Sequence, residues 1–129
     1  MENSYKGKVG IQRIWNALRY SLAGLRAAFQ NEDAFRQELL LAAILIPIAI
    51  VLPAGPTGKA LMIGSVFLVL IVELLNSAVE ATVDRISLED HRLAKRAKDI
   101  GSAAVMLSLI NLLVIWAVIL IPAFVGSSG

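Results

Sequence analysis

The sequence predicts an all-α membrane protein in which three transmembrane helices follow an N-terminal amphipathic surface helix. Composition is the first reason. Of 129 residues, 57% are hydrophobic and only 17% charged, against about 25% charged in an average soluble domain. So short a chain cannot cover that much apolar side chain with water-facing polar groups. Charge placement is the second reason: the twelve Lys and Arg and ten Asp and Glu fall almost wholly outside three apolar runs. Together these exclude an ordinary soluble domain, a disordered tail and a disulfide-stapled scaffold. Without cysteine, thiolate chemistry and Cys-ligated zinc are excluded too. The length fits one domain, residues 1–129.

The surface helix is expected over residues 10–30. Ile11, Ile14, Trp15, Leu18, Leu22, Leu25 and Phe29 recur every three or four residues and form one apolar stripe. Arg19 and Arg26 border the stripe, where their stems can snorkel and their heads meet lipid phosphates. Ala23, Gly24 and Ala27 on the other side leave open a helix packed into the protein's own bundle. A signal peptide is not expected, because the first apolar run starts at Leu39, behind acidic residues.

The first span is expected at about residues 34–54. Its apolar part, Leu39 to Leu52, reaches about 21 Å, short of a hydrocarbon core of about 30 Å. It therefore needs Ala34 to Glu38 as an interfacial end; a re-entrant or buried arm is the alternative. Pro47 is tolerable as a kink in a packed membrane helix. The second span, about residues 60–83, carries Glu73, Asn76 and Glu80. The third, about residues 100–125, has no charged side chain.

Lys and Arg then set the orientation. Lys6, Lys8, Arg13, Arg19, Arg26 and Arg36 precede the first span, and only Lys59 lies in the next loop. Arg85, Arg92, Lys95, Arg96 and Lys98 occupy the loop between spans two and three, and none follows residue 100. The N-terminus and second loop are expected in the cytoplasm, the first loop and C-terminus outside.

Gly55-Pro56-Thr57-Gly58-Lys59-Ala60 faintly resembles a phosphate loop. It has two residues between its glycines where four are needed, and Ala where Ser or Thr must follow the lysine. It is read as a turn.

The chemically informative stretch is in the second span. At 100° per residue, Glu73, Asn76, Ser77, Glu80 and Asp84 share about 100° of one helix face. Each charged group at mid-membrane depth costs at least about 2.5–3.5 kcal/mol, so three carboxylates on one stripe point to function. The alternative is a hydrogen-bonded oligomer seam. Glu80 is expected at the cytoplasmic interface and Glu73 about 10 Å below it. Glu32 and Glu38 before the first span, and Lys98, Asp99 and Ser102 opening the third, fall at the same level. Carboxylates there suit Mg²⁺, which takes one or two of them plus substrate phosphates. Lys98 suits a phosphate oxygen. Glu73, removed from water, is placed to act as general base on a lipid hydroxyl. By spacing alone Glu32 could instead pair with Arg36. His91 reads as a solvated loop residue, Asp90 and Arg92 likewise, and Asn111 as an interhelical hydrogen bonder.

These residues resemble the bacterial integral-membrane diacylglycerol kinase family. The matching strings are Gly24-Leu-Arg-Ala-Ala28, Asn31-Glu32, Ala34-Phe-Arg-Gln-Glu38, Ile71-Val-Glu73, Leu75-Asn-Ser-Ala78, Glu80-Ala81, Val83-Asp-Arg-Ile86 and Arg96-Ala-Lys-Asp-Ile-Gly-Ser-Ala-Ala-Val105. The resemblance runs from about Arg13 into the third span. It implies a homotrimer in the bacterial inner membrane, with composite sites between subunits. It implies ATP and Mg²⁺ as donor and cofactor, diacylglycerol as lipid substrate, phosphatidic acid as product, membrane lipids as surroundings and no nucleic acid partner.

Carried over residue by residue, the resemblance makes Glu73 the base and Glu32 and Glu80 the metal carboxylates. Arg13, Tyr20, Glu32, Glu80, Glu89, His91, Lys98 and Asp99 become nucleotide contacts, with Lys98 on the transferring phosphate. Arg13 and Ser102 fall near the lipid head, and Asn76, Asp84 and Glu38 support the site. Lys95 departs from the family's usual small residue, and Asn16, Leu22 and Ala23 replace more polar or aromatic types; none of these is expected to touch the chemistry. A related branch phosphorylates undecaprenol, and the Phe-Arg-Gln-Glu and Val-Asp-Arg strings favour diacylglycerol. Of another class, a small proton-coupled exporter also fits a short chain with an intramembrane acid. An odd span count and acids gathered at one interface speak against it.

Overall fold

The computed structural model describes residues 2–86 and 91–126, with side chains from residue 9 onward. Four helices follow in order: α1 (Glu2–Asn31), α2 (Asp33–Val51), α3 (Pro56–Ile86) and α4 (His91–Gly126). They divide into two compact units, Met1–Asp33 and Ala34–Gly129.

In the first unit, α1 starts eight residues before the expected position. Its first turns are polar, and a polar turn leaves no trace in an apolar stripe. The stripe itself stands uncovered: Ile11, Ile14, Trp15, Leu18, Leu22, Leu25 and Phe29 are all exposed. Ser21 Oγ donates to the Ala17 carbonyl at 2.8 Å and Asn31 Nδ2 to that of Ala27 at 2.8 Å. The Glu32 N–H donates to the Ala28 carbonyl at 2.9 Å, which closes the helix.

In the second unit, α3 and α4 form a closely packed antiparallel hairpin. Ala42 of α2, Val66 and Val69 of α3 and Leu112 of α4 make the shared core, with Leu45, Ile46, Leu70, Leu109 and Trp116 around it. Small and polar residues set the hairpin's register. A Cβ on Gly58 would lie 3.2 Å from Ile119 Cγ2. Trp116 Nε1 donates to the Met62 carbonyl and to Ser65 Oγ, both at 3.2 Å. Asn76 faces Gly101, and Asp84 faces Lys98. Such links matter in lipid, where apolar contact alone gives helices little reason to associate.

The helices α2, α3 and α4 are each long and apolar enough to cross a membrane. With 19 residues, α2 reaches about 28 Å, so Asp33 to Glu38 supply the length its apolar part lacks. With 31 and 36 residues, α3 and α4 reach about 46 and 54 Å, well beyond a hydrocarbon core. The charged segment between spans two and three is thus mostly helix, not loop: α3 runs to Ile86, and His91, Arg92, Lys95, Arg96, Lys98 and Asp99 all belong to α4. Hydropathy marks where hydrocarbon ends, whereas Ala, Leu, Lys and Arg continue a helix into water.

The false phosphate loop opens α3. Pro56 is its first residue, where a missing N–H costs nothing. Lys59 Nζ donates to the Ile50 carbonyl at 2.6 Å, satisfying the end of α2.

Candidate active site

The polar stripe of α3 and the first turns of α4 meet at the end of the hairpin remote from Lys59. Three levels can be distinguished along it.

Deepest lies Glu73, only 4% exposed. The Glu38 carboxylate on α2 is close enough for the two charges to repel each other. Glu38 Oε2 and Ser77 Oγ are buried and have no hydrogen-bond partner among the described residues. Buried polar groups of this kind are normally satisfied by protein or by ordered water.

One turn on, Asn76 is 9% exposed. Its Nδ2 donates to Glu80 Oε1 at 3.3 Å. The bond runs back along the helix, so the half-buried Glu80 holds its carboxylate toward Glu73. That narrows the roughly 10 Å of helix rise between the two.

At the outermost level, Lys98 Nζ pairs with Asp84 Oδ1 at 2.6 Å, both side chains well exposed. The Glu80 carboxylate also acts on Lys98. Glu80, Asp84 and Lys98 therefore form one charged group across the hairpin. One turn earlier on α4, Lys95 Nζ pairs with Asp99 Oδ2 at 2.8 Å. Lys95 was expected to lie clear of the chemistry, yet its partner Asp99 is one of the expected nucleotide contacts. An i, i+4 spacing on a helix makes that pairing natural.

The remaining site residues fall as follows. Ser102 is exposed on α4, and His91 is exposed at its first residue. Arg13 and Tyr20 share a face of α1 with Gly10 and Ala17 and line one shallow concavity. Glu32 is half-buried where α1 ends. Glu89 lies outside the described residues. Among the described residues no three acidic or imidazole groups converge into a ready-made metal cage. The Glu80 carboxylate is tied to Asn76 by one oxygen; a hard cation shared with substrate phosphates takes one or two such carboxylates.

Sequence reasoning overlooked Gly101. A Cβ there would overlap Asn76 Oδ1. An antiparallel pairing of the second and third spans, written out in register, is the signal that would have exposed it.

Comparison with known proteins adds the following. Residues 19–120 match the family model described as prokaryotic diacylglycerol kinase. The chain is 56% identical over 117 residues to the diacylglycerol kinase of Pseudomonas aeruginosa, covering 91% of this chain and 95% of that one. It is 50% identical over 111 residues to the diacylglycerol kinase of Haemophilus influenzae, covering 86% of this chain and 94% of that one. It is also 50% identical over 111 residues to that of Escherichia coli K12, covering 86% and 91%.

Proposed function

We propose that this chain, which belongs to the prokaryotic diacylglycerol kinase family, is an ATP-dependent lipid kinase that phosphorylates diacylglycerol to phosphatidic acid. The reaction takes place at the cytoplasmic surface of the bacterial inner membrane, with the N-terminus inside and the C-terminus outside. The observation that carries this reading is the graded stripe on α3. A carboxylate buried at lipid depth, Glu73, and a cation–carboxylate group at the hairpin's end, Glu80 with Asp84 and Lys98, stand on one helix face. One end of the stripe suits a hydroxyl arriving from lipid and the other a polyphosphate arriving from water.

In the step itself, the lipid hydroxyl oxygen attacks the γ-phosphorus of ATP while Glu73 accepts the hydroxyl proton. The bond from the γ-phosphorus to the bridging oxygen breaks, and ADP leaves with that oxygen's electron pair. Glu32 and Glu80 would hold Mg²⁺, which neutralises phosphate charge when bound. Asn76 keeps the Glu80 carboxylate turned toward Glu73. Lys98 waits on Asp84 and moves to a γ-phosphate oxygen, adding positive charge where negative charge spreads. Arg13, Tyr20, Glu89, His91 and Asp99 contact the nucleotide, and Arg13 and Ser102 the lipid head. Such a reaction leaves little covalent chemistry to the protein, so positioning and electrostatics supply most of the rate.

The working unit is a homotrimer with composite sites. Glu38 Oε2, Asn76 Oδ1 and Ser77 Oγ, buried without hydrogen-bond partners among the described residues, support a neighbour or substrate completing this level. The test is transfer of labelled γ-phosphate from ATP into extractable lipid, with diacylglycerol and undecaprenol side by side. Label in phosphatidic acid is the expected result. Label preferentially in undecaprenyl phosphate, or in neither lipid, would overturn the assignment.

A further inference from the structure

We infer that Gly101 is a positioning residue for phosphotransfer: the absence of its side chain forms the slot that holds the Asn76 carboxamide, and through it the Glu80 carboxylate.

Glycine is the poorest helix former after proline, yet Gly101 stands inside the unbroken helix α4, and its backbone has no positive φ to require it. Conformational freedom is therefore not its purpose. Its surroundings supply one. A Cβ added there would overlap Asn76 Oδ1 and come within 3.2 Å of Asn76 Cγ. Gly64, by contrast, has open space around the same position. The Gly101 slot is thus specific to one side chain.

The chemistry of the amide fixes what the slot does. A carboxylate only accepts hydrogen bonds, so Asn76 must turn its NH₂ toward Glu80 and its oxygen the other way. That oxygen is buried, finds no hydrogen-bond donor among the described residues and lies against the bare Cα of Gly101. Any side chain at 101 would push the carboxamide off α4 and break or swing the 3.3 Å bond to Glu80 Oε1. Gly101 touches no substrate; it acts through Asn76 on the carboxylate that meets the nucleotide's metal. Outer partners of this kind typically govern metal affinity by about 10–100-fold.

This inference rests on the role proposed for Glu80, and a double-mutant cycle tests it separately. Wild type, Gly101→Ala, Asn76→Ala and the double variant are purified in detergent. Mn²⁺ binding in the presence of ATP is followed by electron paramagnetic resonance, which needs no turnover, and the half-saturating Mg²⁺ for lipid phosphorylation is measured alongside. Gly101→Ala and Asn76→Ala should each weaken Mn²⁺ binding by about 10-fold or more. The double variant should be no worse than Asn76→Ala, because with the carboxamide gone a methyl at 101 has nothing to displace. Gly64→Ala, which adds a methyl in open space, should leave both readouts unchanged. Should Gly101→Ala fail to fold, recovery of folding in the double variant together with weakened Mn²⁺ binding by Asn76→Ala would carry the same conclusion, and undiminished Mn²⁺ binding by Asn76→Ala would overturn it. Unchanged Mn²⁺ affinity in Gly101→Ala, or penalties that add in the double variant, would overturn it and make Gly101 a helix-packing residue. Absence of lipid phosphorylation by the wild type would instead overturn the kinase reading, which the binding cycle does not depend on.

Discussion

Replacing Glu73 by glutamine separates chemistry from architecture more sharply than any other single change. The side chain is 4% exposed, and glutamine keeps its volume and most of its hydrogen-bonding capacity. What disappears is basicity and the repulsion between this carboxylate and Glu38. If Glu73 takes the hydroxyl proton, turnover should fall by at least about 10²-fold, the usual scale for a general base, equivalent to about 2.7 kcal/mol on the barrier. Stability should hold or rise, since an intramembrane charge is removed. Glu80→Gln should behave differently. Glu80 lies about 10 Å further along the helix within the Lys98 group, so its loss should weaken apparent Mg²⁺–ATP affinity as well as rate. The assay is label transfer into lipid at varied Mg²⁺–ATP, with thermal unfolding of the same preparations. A Glu73→Gln protein with near-normal turnover would remove this residue from the chemistry and return the stripe to the role of an oligomer seam.

Three further outcomes are expected. Lys98→Ala should lower phosphotransfer by about 10²-fold or more with the proposed homotrimer unchanged in size-exclusion chromatography, because Lys98 is exposed and its pair with Asp84 lies at the surface; loss of assembly in this variant alone would make it structural. Trp116→Phe should cost about 1 kcal/mol of stability, the scale of an interhelical hydrogen bond in lipid, as its N–H bonds to Met62 and Ser65 vanish; kcat should be untouched, since Trp116 stands about 22 Å of helix rise from Gly101, and an unchanged unfolding midpoint would contradict this. In the cysteine-free chain, an impermeant thiol reagent on intact cells should label Ser128→Cys and spare Ser4→Cys; the reverse would invert the topology.

The spans were legible because hydrocarbon imposes its own length on a sequence, and the stripe was legible because α-helical rotation turns spacing into a face. Glu73, Asn76, Glu80 and Asp84 could be aligned on paper for that reason. What happens between helices was not legible. That Lys98 rests on Asp84, that Glu38 confronts Glu73 and that Asn76 fills the space left by Gly101 all depend on register. No single-helix periodicity records register. The helical character of His91 to Asp99 was hidden for a different reason, since charge was taken to mean loop when it meant only water. Lys59 looked like part of a nucleotide loop and proves to close the end of α2.

Glu73, Asn76, Glu80 and Asp84 stand on α3, and Lys98 and Ser102 on α4, with no proline within either stretch, and no glycine among the described residues has positive φ. Within each of these two helical stretches the backbone offers no hinge. Enzymes that close a lid wait microseconds to milliseconds for it, whereas an exposed lysine changes rotamer in picoseconds to nanoseconds. With Lys98 as the moving part of the site proposed above, the groups it joins on α3 and α4 need no assembly. On that proposal the clock of each turnover would belong to traffic: how fast lipid arrives sideways through the bilayer, and how fast product drifts away.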